Sequence, residues 1–200
     1  MSSTTTTPKA SDKRGYRLGK RALQQEETRR RIIEAAVDLH CTVGPAHTTI
    51  SQIAERAGVQ RHTYYVHFPD ERSLFLACSA LAMERGPLPD FGQLRNVPPG
   101  RDCLRRGIEL LYNWYEQNAD HIGCVVRDAE HHQLTREMVE LRIVPPLREA
   151  EDVISENLDE RSRALLGIAL DFACWKRLNQ DHSPTDAADL MSEAIACLAK

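Results

Sequence analysis

Two hundred residues with 42% hydrophobic content give enough apolar chain for one larger domain or two small ones. No apolar run approaches the roughly 18 residues a membrane span needs, and the opening MSSTTTTPKASDKRG has no apolar core behind its charges, which argues against a signal peptide and for the cytoplasm. The net charge of −3 is divided unevenly: residues 1–78 carry 12 Lys/Arg against 8 Asp/Glu, net +4, while residues 79–200 carry 14 against 21, net −7. A positive head on an acidic body turns one end of the molecule toward phosphate.

Residues 1–27 read as a flexible basic arm, because their Ser/Thr-rich and then basic composition offers little surface to bury. Two readings of Lys13, Arg14, Arg17, Lys20 and Arg21 are open: contact with a nucleic-acid backbone or minor groove, or a solubilising tail. From Thr28 the pattern turns helical, with Ile32, Ile33, Ala36, Val37, Leu39 and His40 recurring about every 3.6 residues, although Thr28 is a poor cap and the start can lie further back. Val43-Gly44-Pro45 stops that helix.

The stretch TTISQIAERAGVQRHTYYVHF carries most information. Thr48 or Thr49 caps a short helix whose inward residues are Ile50, Ile53, Ala54 and Ala57. Gly58 allows a sharp turn, Val59 plugs it into the core, and a second short helix runs from Gln60 to about His67. Two short helices joined at a Gly form a helix-turn-helix. Pro69 ends the second helix and, with the acids behind it, starts another from Asp70 to about Arg85. The Pro/Gly-rich residues 86–100 read as a loop.

Helical stripes follow at 101–120, 122–143, 160–180 and 185–199, with Pro145-Pro146 kinking or dividing the chain between them. The expected fold is all-α: a three-helix helix-turn-helix head over 28–76 and a helical body over 77–200. The cysteines Cys41, Cys78, Cys103, Cys124, Cys174 and Cys197 form no CxxC pair and read as reduced core thiols, with a redox role as the second reading.

Thr-Thr-Ile-(x2)-Ile-Ala-(x2)-Ala-Gly-Val, then Thr63-x-Tyr65-x-His67-Phe68-Pro69 and Ser73-Leu74-Phe75, resemble the TetR family of transcriptional regulators. The resemblance implies a homodimer that holds a palindromic double-stranded DNA operator, docks through its last two helices, and leaves DNA when a small-molecule effector binds the body. The DNA-binding residues it implies are Thr48, Thr49, Gln60, Arg61, His62, Thr63, Tyr65 and Arg72. Thr49 and Tyr65 match phosphate-contacting positions, whereas Gln60 to Thr63 occupy the start of the recognition helix, the part that reaches base edges. Arg61 is the residue suited to bidentate contact with guanine. Tyr64 falls at a packing position. Where relatives carry Lys two residues after the Pro, this chain has Glu71 followed by Arg72, so Arg72 or the main-chain N–H groups must take that contact.

For the effector the candidates are Tyr112, Tyr115, Cys124, Arg127, His131 and Trp175, with Trp114 and Met138 beside them, since aromatic, sulfur and occasional polar groups suit an apolar pocket. Each of them singly is also an ordinary core or surface residue. His131-His132 diverge by about 100° on a helix and have no third ligand at i+4, so no metal is expected. No Gly-rich phosphate loop, paired nucleophile or metal spacing suggests an enzyme or a cofactor.

Overall fold

The computed structural model describes the backbone of residues 11–198 and the side chains of residues 19–198. Among the described residues it contains eleven α-helices, two short 3₁₀ turns and no strand. Helix α1 runs Ser11–Thr42, so residues 11–27 are helical where the sequence suggests a flexible arm. The physical reason is local: Arg, Lys, Ala, Leu, Gln and Glu dominate 20–30 and favour helix even without packing. The Thr28 hydroxyl donates back to the Gln24 carbonyl at 2.8 Å, as a mid-helix residue does, rather than capping a start. Residues 1–10 and the side chains of Lys13, Arg14 and Arg17 lie outside the described residues.

Helices α2 (Ile50–Arg56), α3 (Arg61–His67) and α4 (Glu71–Arg85) complete the head. Thr49 starts α2 through a reciprocal cap: its Oγ1 accepts from the Gln52 N–H, and the Gln52 side chain accepts from the Thr49 N–H. Gly58 turns the chain at φ 65, the left-handed region open to glycine at little cost, and the Val59 N–H closes the turn on the Ala54 carbonyl at 2.9 Å. Asp70 caps α4 by accepting from the Ser73 N–H. Ile32, Ala36, Ile53, Tyr64, Phe68 and Leu74 form the buried centre of this cluster.

The body comprises α5 (Arg101–Gln117), α6 (Ala119–Ala129), α7 (Gln133–Arg142), α8 (Val144–Ile154), α9 (Glu160–Ala169), α10 (Phe172–Leu178) and α11 (Pro184–Leu198). Its own core gathers Leu104, Ile108, Leu111, Tyr112, Leu166 and Ile195. Side-chain caps divide two stretches whose stripes read as continuous. His132 accepts from the Thr135 N–H to open α7, and Asp171 accepts from the Ala173 N–H to open α10. Pro145 and Pro146 start α8 in its first turn, where their missing N–H groups are not needed, rather than kinking a helix. The 86–100 connection also contributes to the core, because a 3₁₀ segment over Phe91–Asn96 buries Phe91 and Leu94. The boundary drawn after Leu76 falls inside α4, whose Leu74 to Ala82 belong to the head cluster while Met83 packs on the body cluster.

Candidate nucleic-acid interface

The recognition helix α3 is anchored on one side and open on the other. Tyr64 and Phe68 are buried, and Arg29 of α1 holds the far end, its Nη1 donating to the His67 carbonyl at 3.2 Å with the guanidinium 4.3 Å over the Phe68 ring. No local sequence signal marks this brace, since Arg29 is one of three successive arginines, Arg29 to Arg31. Opposite it, Gln60, Arg61 and His62 are exposed on the first turn, and Thr63 is half-buried with its hydroxyl 3.3 Å from His62 Nε2. Tyr65 is 46% exposed and stands edge-on to buried Tyr64. A groove beside this face is bordered by Arg21, Gln24 and Thr28 of α1 and by His62, Thr63 and Val66 of α3. Residues 21–28 of α1 therefore run alongside the recognition helix.

Two residues of the expected set are used differently. The Thr48 hydroxyl donates to the Gly44 carbonyl at 2.8 Å and stabilises the corner before α2, leaving Thr49 at the exposed N-terminus. Arg72 pairs with Glu137 of α7, bridging head and body instead of standing with the α3 cations.

Behind the head, the Val43-Gly44-Pro45 corner docks on the end of α6. The Ala46 N–H donates to Asp128 Oδ2 at 2.9 Å, Arg127 Nη2 donates to the Val43 carbonyl at 3.0 Å, and Arg127 Nε donates to Asp128 Oδ1 at 2.7 Å. Gly44 adopts φ 105, and a Cβ there would run into the Arg127 and Asp128 side chains, so glycine is required twice over. Burial alone would raise the buried Asp128 carboxyl, but the Arg127 hydrogen bond, the Ala46 N–H and the nearby charges of Arg127 and His47 outweigh it and hold the group below the ordinary carboxylate range. His40 stacks on Phe75 with ring centres 5.2 Å apart and approaches Cys78 Sγ at 3.6 Å. Burial, helped by the charges of His121 and His132 and opposed by Asp128, lowers its imidazole to about 4.

The six effector candidates do not meet in one cavity. The Tyr112 hydroxyl donates to the Ala169 carbonyl at 2.7 Å and the Tyr115 hydroxyl to the Leu170 carbonyl at 2.9 Å, which ties α5 to the break between α9 and α10. Trp175 packs against Tyr115 and Phe172 in the body core. Cys124 approaches the Cys41 carbonyl, Arg127 serves the joint, and His131 is exposed. Aromatic and sulfur side chains look alike in a sequence whether they pack a core or line a pocket, and here the close packing of α5 uses them up. Met138 does line a cavity, between α1, α4, α6 and α7.

A braced, outward-facing second helix of a helix-turn-helix, carried on a separate helical body, defines the class of helix-turn-helix regulators. Known proteins narrow it. The family model for bacterial regulatory proteins of the tetR family matches residues 32–78. The HTH-type transcriptional regulator SrpR of Pseudomonas putida is 40% identical over 78 residues, 36% of this chain and 36% of its own. TtgR, another HTH-type transcriptional regulator of Pseudomonas putida, is 30% identical over 122 residues, 60% of this chain and 57% of its own. The chain thus spans between about a third and somewhat over half of the length of such curated relatives. The TetR-family regulator PfmR of Thermus thermophilus shares the fold at a TM-score of 0.58 and 19% identity, over 83% of this chain and 94% of that one. The multidrug binding protein EbrR, solved with imidazole, does so at 0.55 and 17%, over 86% and 94%. Residues 32–78 thus match the tetR-family model, and solved TetR-family regulators share the fold of the chain. These relatives are named as regulators, not enzymes, and no helix of the described residues is long and apolar enough to cross a membrane.

Proposed function

We propose that the protein is a sequence-specific repressor that binds a palindromic double-stranded operator as a cytoplasmic homodimer and releases it when a small molecule occupies the body. The observation that carries the reading is the exposed first turn of α3, with Arg61 and His62 open to solvent on a helix whose other face is fastened by Tyr64, Phe68 and Arg29. In this reading Arg61 meets a guanine edge through its paired N–H groups, with Gln60, His62 and Thr63 beside it. Thr49 and Tyr65 hold phosphates and set the register. Arg21, on the far side of the groove, follows the backbone of the same duplex. Arg72 reaches phosphate only after leaving Glu137.

Selection of random duplex DNA by the purified chain, read by sequencing, tests this. A palindromic consensus with half-sites about one helical turn apart is the expected result, and no enrichment at low salt would overturn it. On the selected operator, Arg61→Ala should lose roughly 1–3 kcal/mol of discrimination at one guanine position, whereas Tyr65→Phe should weaken all sequences alike. Equal losses on every sequence from both variants would cancel the division of roles.

The dimer is assigned to α9 and α11, which pack together. Their outer side carries Ile168 at 59%, Leu190 at 46% and Leu198 at 48% exposure, with Gly167 facing open space. Light scattering should return twice the 22.6 kDa chain mass and Ile168→Asp should halve it; a monomeric wild type would remove this interface. One relative, FasR of Mycolicibacterium smegmatis, is named a transcriptional activator, at 27% identity over 49% of its length. A reporter carrying the selected operator inside or upstream of the promoter decides the sign.

A further inference from the structure

The partly open cavity at the head–body junction has a volume of about 50 Å³. Head helices α1 and α4 supply Val37 and Phe75 to its wall, and body helices α6 and α7 supply Val125, Met138 and Val139. Among the described residues no Asp or Glu lines it. The polar groups there are mostly engaged already. The Ser79 hydroxyl donates to the Leu76 carbonyl at 3.2 Å, and the Thr135 hydroxyl is 2.8 Å from His132 Nδ1. His40 and His121 are kept neutral at ordinary pH by burial.

Arg142, at the end of α7, is the exception. Its Nε is buried without a hydrogen-bond partner, and among the described residues no carboxylate pairs with its guanidinium. A guanidinium cannot shed its charge, and a buried donor left unpaired is costly. An apolar chamber with one fixed cation and one unused donor at its wall is shaped for a ligand with an apolar body and a single anionic oxygen pair.

We propose that this cavity is the effector site and that it takes a small aliphatic or aryl monocarboxylic acid, the carboxylate meeting Arg142 and the hydrocarbon lying against Met138, Val139 and Phe75. The proposal rests on the reading of the protein as an effector-controlled regulator and deepens it. The unliganded volume is smaller than the roughly 150 Å³ of an engineered cavity that admits benzene, so occupancy has to widen the chamber. Two of its walls belong to the head and two to the body, and flexible Met138 is the side chain best able to yield first. Widening therefore separates α1 and α4 from α6 and α7, which is a displacement of the reading head.

The test is calorimetric titration of the full chain, without DNA, using benzoate and octanoate beside their neutral counterparts benzyl alcohol and 1-octanol. At least one acid is expected to bind saturably and about tenfold or more tighter than its alcohol. Arg142→Met should abolish that preference while leaving alcohol binding in place. Val139→Phe, which fills the chamber, should remove both, and it serves as the second readout if the Arg142 variant folds poorly. Equal binding of acid and alcohol, an acid preference that survives Arg142→Met, or no saturable acid binding would each overturn the proposal. Operator binding is measured separately on the same preparation. A chain that holds its operator but no acid loses only this inference, whereas one that binds acid but enriches no DNA loses the regulator reading and keeps the site.

Discussion

Replacing Asp128 by Ala is expected to lower the stability of the full chain by about 2–3 kcal/mol, the worth of hydrogen bonds to a charged group and of the donor left behind. The carboxylate accepts from the Ala46 N–H and from Arg127 and is buried between head and body, so its removal orphans a backbone donor at the corner that leads into α2. In a chain of this size that loss corresponds to a drop of roughly 4–12 °C in thermal midpoint. Urea unfolding of wild type, Asp128→Ala and Asp128→Asn measures it. An Ala variant as stable as wild type would mean that the Arg127 bond to the Val43 carbonyl holds the corner alone. The pH dependence has a defined sign. Because the folded carboxyl is held below its ordinary value, its stabilisation is present above the carboxylate range and lost as pH falls through the lowered value. The gap between wild type and the Asn variant should therefore close in strong acid.

His40 is expected to make the head–body joint acid-sensitive in a milder range. Burial lowers its imidazole from 6.5 to about 4, so the folded protein holds it neutral while the unfolded chain protonates it near the ordinary value. The stability this confers is complete above pH 6.5 and drains away as pH falls toward 4, a loss on the order of 3 kcal/mol. The groups facing it set the size of the effect: His121 and His132 oppose its protonation and Asp128 favours it. His40→Leu keeps an apolar side chain against Phe75 and should flatten the slope over this range. Unfolding free energies at pH 7 and pH 4.5 for both proteins provide the check, and parallel pH dependences would remove His40 as the cause.

Much of the head was legible because its signals are local. The Thr49–Gln52 cap, the Gly58 turn and the break at Pro69 each act within a few residues, and the apolar spacing of Ile53, Tyr64 and Leu74 follows from helix geometry. The body was legible as helical stripes but not as a set of seven separate helices. His132 and Asp171 end and restart helices by a side-chain bond that competes with continuing the stripe, and both outcomes suit the same apolar pattern. The start of α1 is helical for the converse reason: its composition offers little surface to bury, yet the helix preference of its Ala, Leu, Gln, Glu and basic residues suffices.

What the chain determined by itself is the reading unit: a short helix, a glycine turn and a second short helix with Arg61 and His62 at its exposed start, all dictated by neighbours in sequence. Tertiary structure alone decided what that unit is joined to. Asp128 meets Ala46 across 82 positions, Arg29 meets His67 across 38, and Arg72 meets Glu137 across 65. The same packing turned Tyr112, Tyr115 and Trp175 into core and left Arg142 unpaired at the junction cavity. A carboxylate, an aromatic ring or a guanidinium carries no mark of its partner, because such pairings are settled by the packing of whole helices rather than by the residues on either side.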